Sequence, residues 1–252
     1  MIAPLFIGKK IIEFDSLDST NVFASKLLTE NVLPEGTTIV AKFQSHGKGY
    51  SGNSWQSEAG KNLLISVILY PAFLSPRHQF FLNQISSLAV ANTVESFLLN
   101  ATVKIKWPND ILVDGKKIAG ILIENSVQGE SFRHSIIGIG VNVNQKNLKA
   151  TLLHATSFII ISGKEFSLQE VMHELFSQLE RRYLQLRQER IDLIQKDYMK
   201  KLYRVEELSW FNSDEEKFKG KIVGITAEGK LIIESSGKHE VFDFKEVEML
   251  FD

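Results

Sequence analysis

Residues 104–124 constrain the fold most, because two strand-like apolar runs lie on either side of the dipeptide Asp114-Gly115. Asp-Gly between such runs is a strong signal for a tight β-hairpin turn. The same stretch contains Trp-Pro-Asn-Asp at residues 107–110, and both Pro and Asp oppose pairing within a sheet. Lysines flank this segment: Lys106, Lys116 and Lys117. A strand that breaks local rules in this way predicts a binding or catalytic site.

The composition is that of an ordinary folded protein, and it limits the kinds of partner. The 252 residues carry a net charge of −1, so no overall field attracts nucleic acid or an anionic membrane, and we expect neither as a partner. The absence of cysteine excludes disulfides and thiol nucleophiles, and the six histidines lack the spacing of zinc ligands. Since the sequence shows no signal peptide and no membrane-spanning run, we predict a soluble, cytoplasmic protein.

Apolar periodicity predicts an α+β protein. Besides the hairpin, strands are expected at residues 11–17, 38–43, 63–70 and 135–143, and helices are expected before residue 28, at 80–99 and from 168 onward. After about residue 204, short strands are expected at residues 220–225, 229–234 and 239–244, and tight turns separate them. We therefore predict a mixed or antiparallel sheet with flanking helices in residues 1–203 and a small β-barrel in residues 204–252.

Two polar motifs allow a structural and a functional interpretation. Ser-Thr-Asn at residues 19–21 precedes the first helix; all three residue types are favoured as caps, and capping alone is the simpler explanation. Alternatively, these groups face a polar part of a ligand. Residues 47–55 form a glycine-rich loop, which is either an exposed connection or an anion-binding segment in which Lys48 adds charge and Trp55 offers a ring face. The loop lacks the Gly-Lys-Ser/Thr ending of a nucleotide-binding P-loop.

Gly138 and Gly140 interrupt a predicted buried strand. Glycine weakens a strand interior, so the pair indicates either close packing of protein elements or a ligand that lies against bare backbone. Asn142 follows at strand spacing on the same face and adds a hydrogen-bonding group there. Asn142 therefore favours the interpretation in which a ligand lies against this strand.

The lysines of the hairpin are expected to differ in role. Lys116 is expected to be a solvated surface group, whereas Lys106 and Lys117 are candidate catalytic cations. Strand alternation places Lys117 on the same face as Ala119. Asp110 is expected to bind a magnesium ion, to orient a lysine, or to form a plain surface salt bridge.

These motifs, in this order, resemble those of the biotin protein ligases over nearly the whole chain. The matching segments are Asp-Ser-Thr-Asn at 18–21, Gln44 and Trp55 around the glycine-rich loop, residues 60–66, Lys-Trp-Pro-Asn-Asp at 106–110, residues 117–124 beginning Lys-Ile-Ala-Gly, and Gly-Ile-Gly-Val-Asn at 138–142. The Lys-Trp-Pro-Asn-Asp and Lys-Ile-Ala-Gly segments are the most distinctive. The resemblance implies the biotin–lipoate ligase catalytic fold, which is like that of class II synthetases, followed by a small SH3-like β-barrel domain.

The resemblance also implies the reaction. Biotin and ATP form biotinyl-5′-AMP and pyrophosphate with Mg²⁺ as cofactor, and biotin then passes to one lysine of a biotin carboxyl carrier protein, as in acetyl-CoA carboxylase. Only a short strand precedes residue 19, which leaves no room for the helix-turn-helix domain of the family's DNA-binding members. We therefore expect a dedicated ligase and not a repressor. Parts of the family are homodimers, so a homodimer is a further expectation.

The resemblance assigns site residues to three roles. The residues implied for biotin are Ser19, Thr20, Asn21, Gln44, Gly47, Lys48, Gly49, Trp107, Lys117, Gly120, Gly138 and Gly140. The residues implied for ATP or the adenylate are Lys48, Trp55, Lys106, Asn109 and Asn142. Lys117 is the expected catalytic cation where the carboxylate meets the α-phosphate, Lys106 supports it, and Asp110 is the expected Mg²⁺ ligand. Trp107 and Ile118 are expected to supply an apolar wall for biotin.

Two other functions stay open at this point. A lipoate or octanoate ligase has a similar fold and similar chemistry, although Lys-Trp-Pro-Asn-Asp argues against it. A non-catalytic module that binds biotin or a nucleotide would not need Lys106, Asn109, Lys117 and Asn142 together. The glycine-rich loop carries Lys48 where family loops often carry several arginines, and a lysine lacks their bidentate fork for phosphate.

Overall fold

The computed structural model describes residues 3–49, 52–148, 154–214 and 216–250, so Tyr50 and Ser51 of the glycine-rich loop lie outside the described residues. The helices of the described chain are α1 (Thr20–Glu30), α2 (Phe80–Phe97), α3 (Phe158–Ser162), α4 (Leu168–Arg187) and α5 (Ile191–Lys201). The strands are β1 (Ile11–Phe14), β2 (Thr38–Ala41), β3 (Leu63–Leu69), β4 (Val103–Lys106), β5 (Asp110–Val113), β6 (Lys116–Gln128), β7 (Ser131–Val141), β8 (Ser209–Ser213), β9 (Glu216–Ile225), β10 (Leu231–Ser235), β11 (Lys238–Phe242) and β12 (Glu248–Met249).

The first seven strands form one mixed sheet in the order β1-β2-β3-β7-β6-β5-β4. The β1 and β2 strands are parallel, and the other neighbours are antiparallel. Helix α1 packs on the face that carries Ile68 and Ile136, while α2 packs on the face that carries Ile65 and Ile137. Burial on both faces explains why β3 shows no polar alternation. The architecture has the predicted α+β class.

The hairpin region contains two turns. Asp114-Gly115 joins β5 to β6 with positive φ values of 49° and 78°, as predicted for this dipeptide. Residues 107–109 form a second turn between β4 and β5, and it includes a cis Trp107-Pro108 peptide bond. The expectation that Trp-Pro-Asn lies across a strand is therefore wrong. The residues that oppose sheet pairing occupy the turn, and Asp110 resumes the pairing opposite Lys106.

Helix α4 begins as predicted and holds the N-terminal segment. The Ser167 hydroxyl caps it by accepting a hydrogen bond from the Glu170 N–H at 3.3 Å. Further along, the Glu180 carboxylate is buried and accepts hydrogen bonds from three successive backbone N–H groups. The donors are Leu5, Phe6 and Ile7. One side chain thus anchors the segment that precedes β1.

Replacing Glu180 with alanine should lower the free energy of unfolding by about 2–4 kcal/mol, because buried backbone N–H groups lose their acceptor. Urea denaturation followed by circular dichroism measures the change. Glu30→Ala is the matched control, since Glu30 is exposed at the end of a helix. That variant should stay within about 0.5 kcal/mol of the parent. Equal stability of the two variants would contradict the anchoring role.

The C-terminal strands form a separate five-stranded antiparallel sheet in the order β11-β10-β9-β8-β12. Phe218 stacks on both Phe211 and Phe242, with ring centroids 5.6 and 5.7 Å apart, and supplies its core. The predicted strand segments lie largely within β9, β10 and β11. A domain boundary at residues 203 and 204 stays a prediction. None of the described helices has the length and apolar character needed to cross a bilayer.

Candidate active site

A pocket opens on the α1 face of the large sheet, between the start of α1, strands β6 and β7 and the glycine-rich loop. The predicted site residues that the structure brings together here are Ser19, Thr20, Asn21, Gln44, Lys48, Gly49, Trp55, Asn109, Asp110, Lys117, Gly120, Gly138 and Gly140. Apolar residues of the sheet also line it: Leu122 shares the face of Gly120, whereas the side chains of Ile65, Ile121 and Ile139 pack into the main core on the other face. Gly47 lines a neighbouring opening that shares Gln44, Lys48, Gly49 and Trp55 with this pocket.

Strand register aligns one end of the pocket. Asp110 pairs with Gly120, and Gly120 pairs with Gly140, so the three form a row across β5, β6 and β7. Lys106 lies opposite Asp110 at the end of the same row. Residues directly opposite on neighbouring strands have side chains within contact distance. The row therefore places a cation and a carboxylate beside two positions of bare backbone.

A β-bulge brings Lys117 to this face. The pairing of β5 with β6 shifts so that Ile118 is an extra residue on β6. An extra residue reverses the alternation of faces, so Lys117 shares a face with Gly120 and not with Ala119. The expected grouping of Lys117 with Ala119 is therefore wrong. Ile118 is fully buried in the main hydrophobic core, which corrects the expectation that it lines the site.

The Lys117 ammonium has a defined position. Its Nζ lies 2.6 Å from Asp110 Oδ1 and 5.9 Å from the centre of the Trp55 ring. Its backbone is held on both sides, because Lys117 N–H donates to the His154 carbonyl and the Lys117 carbonyl accepts from Thr156 N–H. The structure shows Asp110 paired with a lysine, and magnesium binding by Asp110 stays a prediction.

A buried hydrogen-bond network forms the other end of the pocket. Gln44 Oε1 accepts from the Thr20 N–H at 2.7 Å and from the Thr20 hydroxyl at 3.0 Å. Ser66 Oγ lies 2.7 Å from Thr20 Oγ1 and 2.6 Å from Asn21 Oδ1. Asn21 Nδ2 donates to Glu124 Oε2 at 2.8 Å. Hydroxyls both donate and accept, so this uncharged part of the network suits a ligand that carries both donors and acceptors.

These contacts decide the structural role of the Ser-Thr-Asn motif. Ser19 is the N-cap residue of α1, but its side chain makes no capping hydrogen bond. The Thr20 N–H is instead satisfied by Gln44. Side-chain capping by Ser19 is therefore wrong as an explanation, and its hydroxyl lines the pocket.

The glycines of β7 allow close packing at the pocket floor. A Cβ on Gly140 would lie 2.6 Å from Trp55 Cε2, and a Cβ on Gly138 would lie 2.3 Å from Asn21 Oδ1. Trp55 also lies against Gly120, where a Cβ would be 3.2 Å from its ring, and its buried Nε1 makes no hydrogen bond with the part of the chain that the structure describes. The observed use of these glycines is thus to bring Trp55 and Asn21 into the pocket.

Two predicted residues point elsewhere. Trp107 stacks on Phe244 with ring centroids 5.1 Å apart, and its Nε1 donates to the Gly229 carbonyl at 2.9 Å. This corrects the expectation that Trp107 forms a wall of the site, because the second turn projects it toward the C-terminal sheet. Asn142 lies beyond the end of β7 and donates its side-chain N–H to the Thr156 carbonyl at 3.1 Å. Its contact with an adenylate stays a prediction.

Lys106 lies in a cleft between the large sheet and the C-terminal sheet, which Glu248 also lines. Asn109 and Asp110 line both this cleft and the main pocket, so the two adjoin. Burial lowers the pKa of the Lys106 ammonium, while Asp110 and Glu248 act in the opposite direction. Asn109 is fixed between the two spaces, because its Nδ2 donates to the Ile121 carbonyl at 2.7 Å.

No individual role was predicted for Ser66 or Glu124, yet both belong to the network. Ser66 carries the single hydroxyl of the apolar run that became β3. A buried hydroxyl of this kind needs a partner, and that signal was available. Glu124 follows a continuous apolar run in β6, and its partner Asn21 lies about a hundred residues earlier, so no local pattern connects them.

Within the described ranges, no three His, Asp or Glu side chains are grouped so that they could hold a metal ion. Asp110 contributes a carboxylate to the pocket, where it pairs with Lys117. Mg²⁺ at nucleotide sites is usually held by one or two carboxylates together with waters and substrate phosphates. The donor set therefore fits a metal that arrives with a nucleotide and does not fit a metal held by the protein alone.

The fold is shared with solved biotin protein ligases. The chain aligns with the biotin protein ligase from Aquifex aeolicus in complex with biotin and ATP, with a TM-score of 0.81 and 24% identity over 97% of this chain and 100% of that one. It also aligns with the Leishmania major biotin protein ligase in complex with biotinyl-5-AMP, with a TM-score of 0.64, 23% identity, and coverage of 93% and 99%. At these identities the likeness shows the fold.

Sequence relationships place the chain in a family. It is 32% identical over 249 residues to the bifunctional ligase/repressor BirA of Bacillus subtilis, covering 91% of this chain and 71% of that protein. It is 35% identical over 130 residues to the biotin--[acetyl-CoA-carboxylase] ligase of Paracoccus denitrificans, covering 50% and 51%. Residues 13–142, which hold the pocket, match the Biotin/lipoate A/B protein ligase family. The chain belongs to this family of ligases.

Proposed function

We propose that this ligase activates biotin with ATP and then transfers it to a lysine of a biotin carboxyl carrier protein. The observation that carries the proposal is the fixed Lys117 ammonium at one end of a pocket whose other end is a hydrogen-bond network. The first end suits an anion, and the second suits a neutral polar ring. Two comparisons support this choice. The Aquifex aeolicus ligase of the same fold was solved in complex with biotin and ATP, and the Paracoccus denitrificans relative is named as a biotin ligase.

The network suits the ureido ring of biotin, which has two N–H donors and one carbonyl acceptor. Ser19, Thr20 and Gln44 offer hydroxyl and amide groups for these atoms. A site built to hydrogen-bond such groups rejects analogues that lack them. Leu122 and the Trp55 ring supply apolar wall for the thiophane ring and acyl chain.

The charged end suits adenylation. A carboxylate oxygen of biotin attacks the α-phosphorus of ATP. The bond from this phosphorus to the oxygen that bridges it to the β-phosphate breaks, and pyrophosphate leaves with that oxygen and its electron pair. Because two anions approach each other, a fixed cation at their meeting point gives the largest stabilisation of the transition state. Lys117 fills this role, and Lys48 in the loop and Lys106 in the adjoining cleft act on the phosphates.

The second step transfers biotin from the adenylate. The neutral amine of the carrier lysine attacks the biotinyl carbonyl carbon, the bond from this carbon to the phosphate oxygen of AMP breaks, and the amine loses a proton to solvent. Because water hydrolyses the mixed anhydride, we propose that the loop carrying Trp55 closes over it. Mg²⁺ would be held by Asp110 together with the phosphates, whose charge it neutralises.

The wider expectations belong to the same proposal. They are a cytoplasmic location, a homodimer, no nucleic-acid partner, a contact of Asn142 with the adenylate, and a division into a catalytic domain at residues 1–203 and an SH3-like domain at 204–252.

Exchange of labelled pyrophosphate into ATP by the purified protein tests the proposed function. We expect exchange with biotin and none with lipoate or octanoate, because the ureido ring pairs with the buried network. Exchange with lipoate or octanoate and none with biotin would instead identify a ligase for those acids. If biotin binds but none of the three acids supports exchange, the protein is a binding module. Transfer of labelled biotin to a carrier domain then tests the second step.

The pH dependence of ATP binding should report on Lys106. Because burial lowers its pKa below the ordinary 10.5, the folded protein loses this proton at lower pH than the unfolded chain. The free energy of unfolding therefore rises with pH between the Lys106 pKa of the folded protein and that of the unfolded chain. Binding of ATP uses the charged form, so the KM for ATP should rise through the lowered pKa. Lys106→Arg should move this rise to higher pH, since guanidinium stays protonated. If the KM for ATP rises at the same pH in both enzymes, the proposed contact of charged Lys106 with the phosphates is contradicted.

A further inference from the structure

Trp107 connects the candidate active site to the C-terminal sheet. Its ring stacks on Phe244 with centroids 5.1 Å apart and planes at 19°, and its Nε1 donates to the Gly229 carbonyl at 2.9 Å. Both partners lie in the C-terminal part of the chain, whereas Trp107 occupies the turn between β4 and β5. The stacked Phe244 ring covers one face of the indole, and the hydrogen bond to Gly229 satisfies its N–H.

The surface that receives the indole is itself held in place. Gly229 adopts a φ of +97°, and a Cβ there would lie 2.3 Å from Phe80 Cγ, so its backbone presses directly on α2. The Phe80 ring also packs against Phe244 and Tyr198, with centroids 6.0 and 5.9 Å apart. Trp107 therefore docks on the turn before β10 and the turn after β11, and Phe80 of α2 packs against both turns.

The other end of the same turn reaches the pocket. The Asn109 carbonyl accepts from the Ile121 N–H at 3.0 Å, and Asn109 Nδ2 donates to the Ile121 carbonyl at 2.7 Å. The next residue, Asp110, holds Lys117 Nζ at 2.6 Å. A rotation of the turn would displace both Asn109 and Asp110, and through Asp110 it would displace the lysine.

We propose that Trp107 is a positioning residue, which fixes the β4–β5 turn to the C-terminal sheet and thereby holds Asn109 and Asp110 where they orient Lys117. Only the catalytic readout of this proposal rests on the proposed function. A merely structural role would reduce the fraction of folded protein. A positioning role reduces the turnover of each folded molecule and leaves biotin binding unchanged.

Amide hydrogen exchange in the ligand-free protein tests the attachment of the turn without reference to activity. Trp107→Phe keeps an aromatic ring but removes the N–H donor. The Ile121 amide should then exchange about fivefold faster, while amides in the middle of α2 keep their rates. Trp210→Phe is the matched control, because Trp210 lies on the same C-terminal sheet but is 42% exposed. Unchanged exchange at Ile121 in Trp107→Phe overturns the proposal, whether or not the protein is a ligase.

Turnover provides the second readout. At saturating biotin, Trp107→Phe should lower kcat for pyrophosphate exchange by about tenfold, and Trp107→Ala should lower it further, because small displacements of positioned groups have large effects on rate. The number of biotin sites per molecule and the affinity for biotin should stay at parent values. Parent-like kcat, or a biotin stoichiometry that falls with the rate, overturns the proposal. A parent enzyme without biotin-dependent exchange refutes the proposed function alone, and the exchange rate of Ile121 still decides the role of Trp107.

Discussion

Replacing Lys117 with alanine should lower the rate of biotin adenylation by about a thousandfold, or roughly 4 kcal/mol of transition-state stabilisation. The substitution removes the ammonium that lies 2.6 Å from Asp110 Oδ1 at the end of the pocket. The fold should be retained, because the hydrogen bonds that Lys117 makes with His154 and Thr156 use its backbone. Pyrophosphate exchange measures the rate, and circular dichroism with thermal unfolding checks the fold.

Lys116 provides the matched control for this experiment. It is the preceding residue on the same strand, it is exposed, and it does not line the pocket. Lys116→Ala removes the same charge from the same hairpin and should keep the parent rate within about twofold. Asp110→Asn adds a second comparison, since it keeps the cation but removes the carboxylate that orients it. If Lys117→Ala retains more than a tenth of the parent rate, another group supplies the cation and the assignment fails.

Gly140→Ala should lower biotin-dependent exchange by about 100-fold with a far smaller effect on folding. The added methyl would lie 2.6 Å from Trp55 Cε2, which is closer than two carbon atoms can approach. Trp55 must therefore move, and the methyl then occupies space against the bare backbone where a ligand would lie. We expect the free energy of unfolding to change by about 1–2 kcal/mol, as for a single overpacked methyl group. Pyrophosphate exchange and titration calorimetry with biotin measure the effect on the site. Urea denaturation measures the effect on folding.

Gly224→Ala is the control for the glycine experiment. Gly224 also lies within a strand, but the nearest atom to a Cβ there would be the flexible end of the Ile232 side chain, at 3.3 Å. Its biotin affinity should equal that of the parent. Parent-like affinity in Gly140→Ala would show that neither Trp55 nor the ligand depends on bare backbone at this position.

Local patterns predicted the elements of the fold but not their order in space. The capping box at Ser167, the Asp114-Gly115 turn and the apolar run of β3 involve residues that are close in sequence, so physical rules for short segments suffice. The pairing of β3 with β7 joins Leu69 to Ser135 and Leu63 to Val141, which are far apart in the sequence. Such pairings follow from the packing of the whole chain, and no short window contains them.

The candidate site shows the same division. Lys117, Gly120 and Asp110 were expected in the site, and the structure places them together. The face of Lys117 was mispredicted because the β-bulge at Ile118 depends on the partner strand as well as on its own sequence. Trp107 was misplaced for a similar reason, since its partners lie more than a hundred residues later in the chain.

The Asp110–Lys117 ion pair also has a consequence for ionic strength. An anionic ligand that reaches this pocket does not meet a bare cation, because a carboxylate already lies 2.6 Å from the ammonium. In the proposed adenylation, the biotin carboxylate approaches a lysine whose charge Asp110 already offsets. The net charge that attracts biotin is then small, so screening by added salt changes the attraction little. We therefore expect the affinity for biotin to depend only weakly on salt concentration, whereas ATP, which brings several negative charges, should bind more weakly as salt rises.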